Sequence, residues 1–137
     1  MTGVQTAPGC CGGGRPRTMS DYIERGQRRA RADTPPVQAP ECRDEEGRFA
    51  RFGVQLTDGI VTGVGFRASP CVTLIAYCEA AAERVSGLPL PTALRALRPA
   101  DLALDLPSVP PARREHAVLA ARALVVALAD VAGGSRP

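Results

Sequence analysis

Phe49-Ala50-Arg51-Phe52-Gly53-Val54-Gln55-Leu56-Thr57-Asp58-Gly59-Ile60-Val61-Thr62-Gly63-Val64-Gly65-Phe66-Arg67 is the stretch that decides the fold. Phe52, Val54 and Leu56 recur at every second position, as do Ile60, Thr62, Val64 and Phe66. Between them Thr57-Asp58-Gly59 offers a tight turn whose glycine accepts positive φ, and the whole reads as a β-hairpin. Beyond Ala68-Ser69-Pro70 the pattern becomes helical. Residues 72–86 are mostly Ala, Leu, Ile and Val, which predicts a helix with Glu79, Glu83 and Arg84 on its exposed side and Gly87 as its stop. Leu90-Pro91-Thr92 opens a short helix to about Leu97, and Asp101 caps a further turn through Leu106. After the rigid connector Pro107-Ser108-Val109-Pro110-Pro111, residues 113–131 predict a buried last helix ended by Gly133-Gly134. Its Ala/Val/Leu run, 117–131, is interrupted by Arg122 and Asp130 and reads as too short and too charged to span a membrane.

Upstream of the hairpin, Ser20 precedes Asp21 and Glu24, the arrangement of an N-cap ahead of an acidic first turn, which predicts a helix to about Arg31. Asp33-Thr34-Pro35-Pro36 breaks it, because proline lacks the amide donor and pushes its predecessor out of the helical region. An extended linker to Pro40 follows. Residues 1–17 are rich in Gly and Pro with no hydrophobic period, so a disordered tail is expected. Cys10 and Cys11 lie in that tail, where nothing positions them for chemistry.

The 137 residues suffice for one domain, and with 45% hydrophobic but only 4% aromatic residues its core must be built from Ala, Val and Leu. So few rings exclude an aromatic stacking platform for single-stranded nucleic acid. All 17 basic residues are Arg, and six of them (Arg15, Arg17, Arg25, Arg28, Arg29 and Arg31) precede residue 32, beside only Asp21 and Glu24. The remainder is nearly neutral, so the net charge of +3 describes an N-terminal arm rather than a nucleic-acid-binding face. The N-terminus shows no apolar signal run, so a cytoplasmic protein with its five Cys as reduced thiols is expected.

Three potential soft or borderline metal ligands fall where elements meet: Cys42 before the hairpin, Cys71 at a helix N-terminus, and His116 in the first turn of the last helix. A helix N-terminus stabilises a thiolate, which favours metal ligation and sulfur chemistry. Asp44 follows Cys42 by two residues, a spacing that places both on one face of an extended strand. Cys78 reads as a core residue.

The order of these residues carries a resemblance. Ala39-Pro40-Glu41-Cys42-Arg43-Asp44, the turn Asp58-Gly59-Ile60-Val61, Phe66-Arg67-Ala68-Ser69-Pro70-Cys71-Val72-Thr73-Leu74-Ile75-Ala76, and Val109-Pro110-Pro111 leading to Glu115-His116-Ala117 resemble the U-type iron–sulfur cluster assembly scaffolds, the IscU family and the N-terminal domain of NifU. The resemblance covers residues 19–132. It implies an α+β fold of the SufE/NifU-like kind, a small antiparallel β-sheet packed on one face by α-helices, with 1–18 and 133–137 as disordered termini. It also implies that Cys42, Asp44 and Cys71 match the family's first cysteine, aspartate and second cysteine. His116 falls where the third cysteine is expected and Glu115 where the histidine is, while Arg43 and Pro70 replace glycines.

By that resemblance Cys42, Asp44, Cys71 and His116 hold iron or a [2Fe–2S] cluster, with zinc as an alternative occupant, since imidazole replaces thiolate on iron in Rieske-type centres and zinc accepts all three ligand types. The resemblance further implies a non-enzymatic scaffold or carrier, supplied by a cysteine desulfurase and delivering to apo iron–sulfur proteins. Val109-Pro110-Pro111-Ala112-Arg113 echoes in part the family's recognition segment for an Hsp70/J-type chaperone pair. A homodimer around a shared cluster is compatible with it, and neither nucleic acid nor membrane is implied. The alternative is a divergent paralogue whose zinc site serves a desulfurase- or target-binding module. A sulfurtransferase acting through a Cys71 persulfide lacks a clear general base nearby.

Overall fold

The computed structural model describes residues 17–32 and 35–134. The hairpin forms as its alternation requires, from β2 (Phe49–Thr57) and β3 (Ile60–Ala68), with Asp58 at φ 55° and Gly59 at φ 77° making the two-residue turn. Two successive positive φ values match the right-handed twist of the strands, which is why Asp-Gly serves here. A short β1 (Cys42–Arg43) adds to the other edge of β2, giving an antiparallel sheet in the order β1-β2-β3. Cys42 lies opposite Ala50, which lies opposite Ala68.

The helices are α1 (Met19–Arg31), α2 (Val72–Val85), α3 (Leu90–Arg95), α4 (Pro99–Asp105) and α5 (Glu115–Gly134). Phe52 and Phe66 pair across the hairpin with ring centroids 5.6 Å apart, and both are fully buried with Leu74, Tyr77, Leu124 and Leu128. The small side chains Ala76, Ala80, Ala120, Ala123 and Ala127 complete this core, as a chain poor in aromatics demands. The α+β architecture, an antiparallel sheet with helices packed on its apolar face, is therefore the one expected.

The opposite face of the sheet is crossed by the linker. Gly53 and Gly65 are paired in register, and Pro35, Pro36 and Val37 pass directly over them. A Cβ on Gly53 would stand 1.9 Å from the Pro36 carbonyl oxygen and 2.6 Å from its carbon. The linker then bends along β2, where the Ala39 amide donates to the Phe52 carbonyl and Arg51 Nε to the Ala39 carbonyl, and continues into β1. Gly53→Ala should lower stability by about 3 kcal/mol, the upper end for overpacking, because the obstacle is backbone rather than a flexible side chain. A fall in the urea midpoint at constant slope measures it, and an unchanged midpoint would mean that the linker is not held on the sheet.

Several local expectations are corrected. The N-cap of α1 is Thr18 rather than Ser20: its hydroxyl accepts from the Asp21 amide while the Asp21 carboxylate accepts from the Thr18 amide, a reciprocal capping box. Asp101 lies inside the first turn of α4, whose N-cap is Arg98. Glu79, expected on an exposed side, is 2% exposed because α1 lies over that side of α2 and supplies Arg29 to it. Glycines 133 and 134 do not end the structure but continue α5, so that part of the expected disordered C-terminus is helical; residues 135–137, and with them Cys10 and Cys11 of the expected tail, lie outside the described residues. Pro111–Gly133 is, by length and composition, enough to cross a bilayer, unlike the shorter run read from sequence; half of its most apolar window is buried inside the fold, the condition of a core helix.

Candidate metal centre

Cys42, Asp44, Cys71 and His116 all come from segments gathered at one end of the sheet. β1 stops at Arg43 because Asp44 turns the chain. The Asp44 Oδ1 accepts from the amides of Glu46 (2.9 Å) and Arg48 (3.0 Å), and Gly47 takes φ 86° to close the turn. Asp44 therefore does not share an extended strand with Cys42: it sits at the turn, with Oδ2 accepting from Arg48 Nε at 2.9 Å. Desolvation pulls the Asp44 carboxyl upward, but the two amides and the guanidinium together hold it below the usual carboxylate range.

On the other side of β2, the Phe49 amide donates to Ser69 Oγ and the Ser69 amide to the Phe49 carbonyl, which brings the end of β3 beside the start of β2. Two residues on, Cys71 is the N-cap of α2, its carbonyl accepting from Ile75 while its side chain makes no capping bond. Cys42 and Cys71 are free and partly exposed thiols. Cys78, one heptad into α2, is fully buried, and burial first, then the charges of Glu79 and Cys71, pushes its thiol far up. It is an inert core residue, as expected.

His116 occupies the first turn of α5, which packs on β2 and β1 and is tied to the latter by Arg122 Nη2 donating to the Arg43 carbonyl at 3.0 Å. The imidazole is 4% exposed, and its Nδ1 has no hydrogen-bond partner. Burial and then the Arg48 cation lower its pKa, against the opposing pull of Glu115 and Asp44, so the ring is neutral at neutral pH. A neutral imidazole with an unpaired nitrogen has the chemistry to bind a metal ion.

The donor types suit iron or zinc, but their arrangement is not a finished shell: among the described residues no three His, Cys, Asp or Glu side chains are grouped to hold one ion. Arg48 is the residue that sequence reasoning missed. It reaches Asp44 at 2.9 Å, Glu46 Oε1 at 2.5 Å and Glu115 Oε1 at 3.6 Å, and so clasps the β1–β2 turn to the start of α5. The spacing Asp44-Glu45-Glu46-Gly47-Arg48 carried the signal, an aspartate and a glycine that make a turn and return an arginine to the aspartate.

The family model of the NifU-like N-terminal domain matches residues 18–135. No curated protein matches the chain. Among solved structures, the crystal structure of a nitrogen-fixing NifU-like protein (N-terminal) from Brucella abortus is similar at 18% identity and a TM-score of 0.54, over 86% of this chain and 100% of that one. At that identity the likeness is one of fold.

Proposed function

The chain belongs to the NifU-like N-terminal domain family of iron–sulfur cluster assembly scaffolds, and from that premise we propose that it binds iron or a [2Fe–2S] cluster as cargo through Cys42, Cys71 and His116, with Asp44 as a labile fourth ligand. Sulfur would come from a cysteine desulfurase and the cargo would go to apo iron–sulfur proteins; the role is that of a carrier rather than an enzyme. The observation that carries this reading is the unpaired Nδ1 of a buried His116. An unsatisfied polar atom in the interior costs about 1–3 kcal/mol, a cost that a ligand at that nitrogen removes.

Each residue has a definable task. The two free cysteines would be the soft donors, binding as thiolates, and the imidazole would bind through its unpaired nitrogen. The partial exposure of the cysteines leaves the cargo reachable by a recipient's own ligands. A shell with nitrogen and oxygen donors beside two sulfurs holds iron less tightly than four thiolates, which suits transfer over storage.

The test is metal and acid-labile sulfide analysis of protein purified without oxygen, with a visible spectrum of wild type and His116→Ala. Iron and sulfide in near-equal amounts, with charge-transfer bands altered by the substitution, are expected. Stoichiometric zinc that iron and sulfide fail to replace would overturn the carrier reading and favour a zinc-bearing docking module.

A further inference from the structure

Asp44 is committed elsewhere. Both of its oxygens are occupied, Oδ1 by two amides and Oδ2 by Arg48 Nε, and the same guanidinium lies against Glu46 and Glu115. Arg48 thus brings a positive charge into the middle of three carboxylates, at the turn from which Asp44 would have to ligate and one residue away from His116. A cation arriving at these donors meets a like charge already in place, and a carboxylate whose best lone pairs are taken. Among the described residues no three candidate donors are grouped to hold one ion, and Asp44 is the one that an ion pair already engages.

Resting on the carrier reading above, we propose that Arg48 is a built-in counter-cation that competes with the metal cargo for Asp44 and thereby weakens retention of the cargo. Loading requires Arg48 to leave Oδ2, and its return to Asp44 assists release. The clasp is suited to exchange of this kind because Arg48 and Asp44 are 22% and 21% exposed, so that water can solvate each when they part. The second contact, to Glu115 at 3.6 Å, joins the clasp to the first turn of α5, which carries His116.

Titration of the metal-free full-length protein with Co²⁺ tests this, because thiolate-to-cobalt charge-transfer absorption reports Cys42 and Cys71 independently of any transfer activity. Arg48→Gln removes the charge and should bind Co²⁺ at least about threefold more tightly, the scale of one partly exposed ion pair lost from the competing state. Arg48→Lys keeps a cation and should remain close to wild type, whereas a purely structural role in the turn would make both variants change alike. Adding Asp44→Asn to Arg48→Gln should abolish the gain. If Arg48→Gln binds no more tightly while Cys42→Ser still loses the cobalt–thiolate band, the competition is disproved and the metal site stands. If wild type and Arg48→Gln both lack that band, the carrier reading fails and this inference with it.

Discussion

Cys42→Ser and Cys71→Ser should each lower metal affinity at least a hundredfold, while Cys78→Ser leaves it unchanged. Loss of a residue that only orients a ligand costs ten- to a hundredfold, so loss of a thiolate ligand itself costs no less. Cys78 differs because it is wholly enclosed by the core; replacing its sulfur with a hydroxyl should lower stability by about 1–2 kcal/mol without touching the site. The most telling variant is Cys71→Ser. Cys71 is the N-cap of α2 and leaves the cap bond unmade, whereas serine is among the best N-cap residues. The metal-free form of Cys71→Ser should therefore melt higher than wild type, by roughly 1 kcal/mol of stability, even as it loses the metal. Opposite movements of melting temperature and metal affinity in one variant would mark Cys71 as kept for chemistry against the preference of the helix. Metal retention in both Cys42→Ser and Cys71→Ser would remove the proposed site.

Arg29→Ala should destabilise the protein by about 3–5 kcal/mol, the largest effect expected of any change away from the site. Glu79 is 2% exposed in the middle of α2, and Arg29 of α1 grips both of its oxygens, Nε at 2.6 Å and Nη2 at 3.1 Å, with Nη1 donating to the Val64 carbonyl at 2.8 Å. Removing the guanidinium strands a carboxylate in the core and takes away one tie of α1 to α2 and to β3. Glu79→Ala should cost less, because Arg29 is 26% exposed and can turn to water. Replacing the pair together, Arg29→Met with Glu79→Leu, should recover most of the loss, since apolar side chains of similar volume remove the desolvation cost of both charges. At this chain length the Arg29→Ala loss corresponds to a fall in melting temperature of roughly 10 °C or more. Equal losses for Arg29→Ala and Glu79→Ala would contradict the asymmetry of burial on which the argument rests.

The Arg29–Glu79 pair holds α1 to the domain beside the packing of Met19, Tyr22, Ile23 and Ala30 against the core. Gly26 is its one buried residue, and a Cβ there would stand 2.7 Å from Ile75 Cγ2 and 2.9 Å from the Ile75 carbonyl oxygen. A helix so rich in charge looks in sequence like a solvated arm. Its arginines look like an unpaired excess and Glu79 like surface, because a one-dimensional pattern shows a charge but not the opposite charge 50 positions away.

Local features are legible in the residues alone: the hairpin from its period of two, its turn from Asp58-Gly59, the order of helices, and the four candidate ligands together with the family they resemble. These are properties of neighbouring residues, and neighbours set backbone conformation. The rest arises from tertiary packing. It laid Pro35 and Pro36 across Gly53 and Gly65, paired Arg29 with Glu79, buried His116 with Nδ1 unpaired, and set Arg48 against Asp44 and Glu115. Each of these depends on desolvation and on contacts between segments far apart in the chain, and those come into being only when the chain closes on itself.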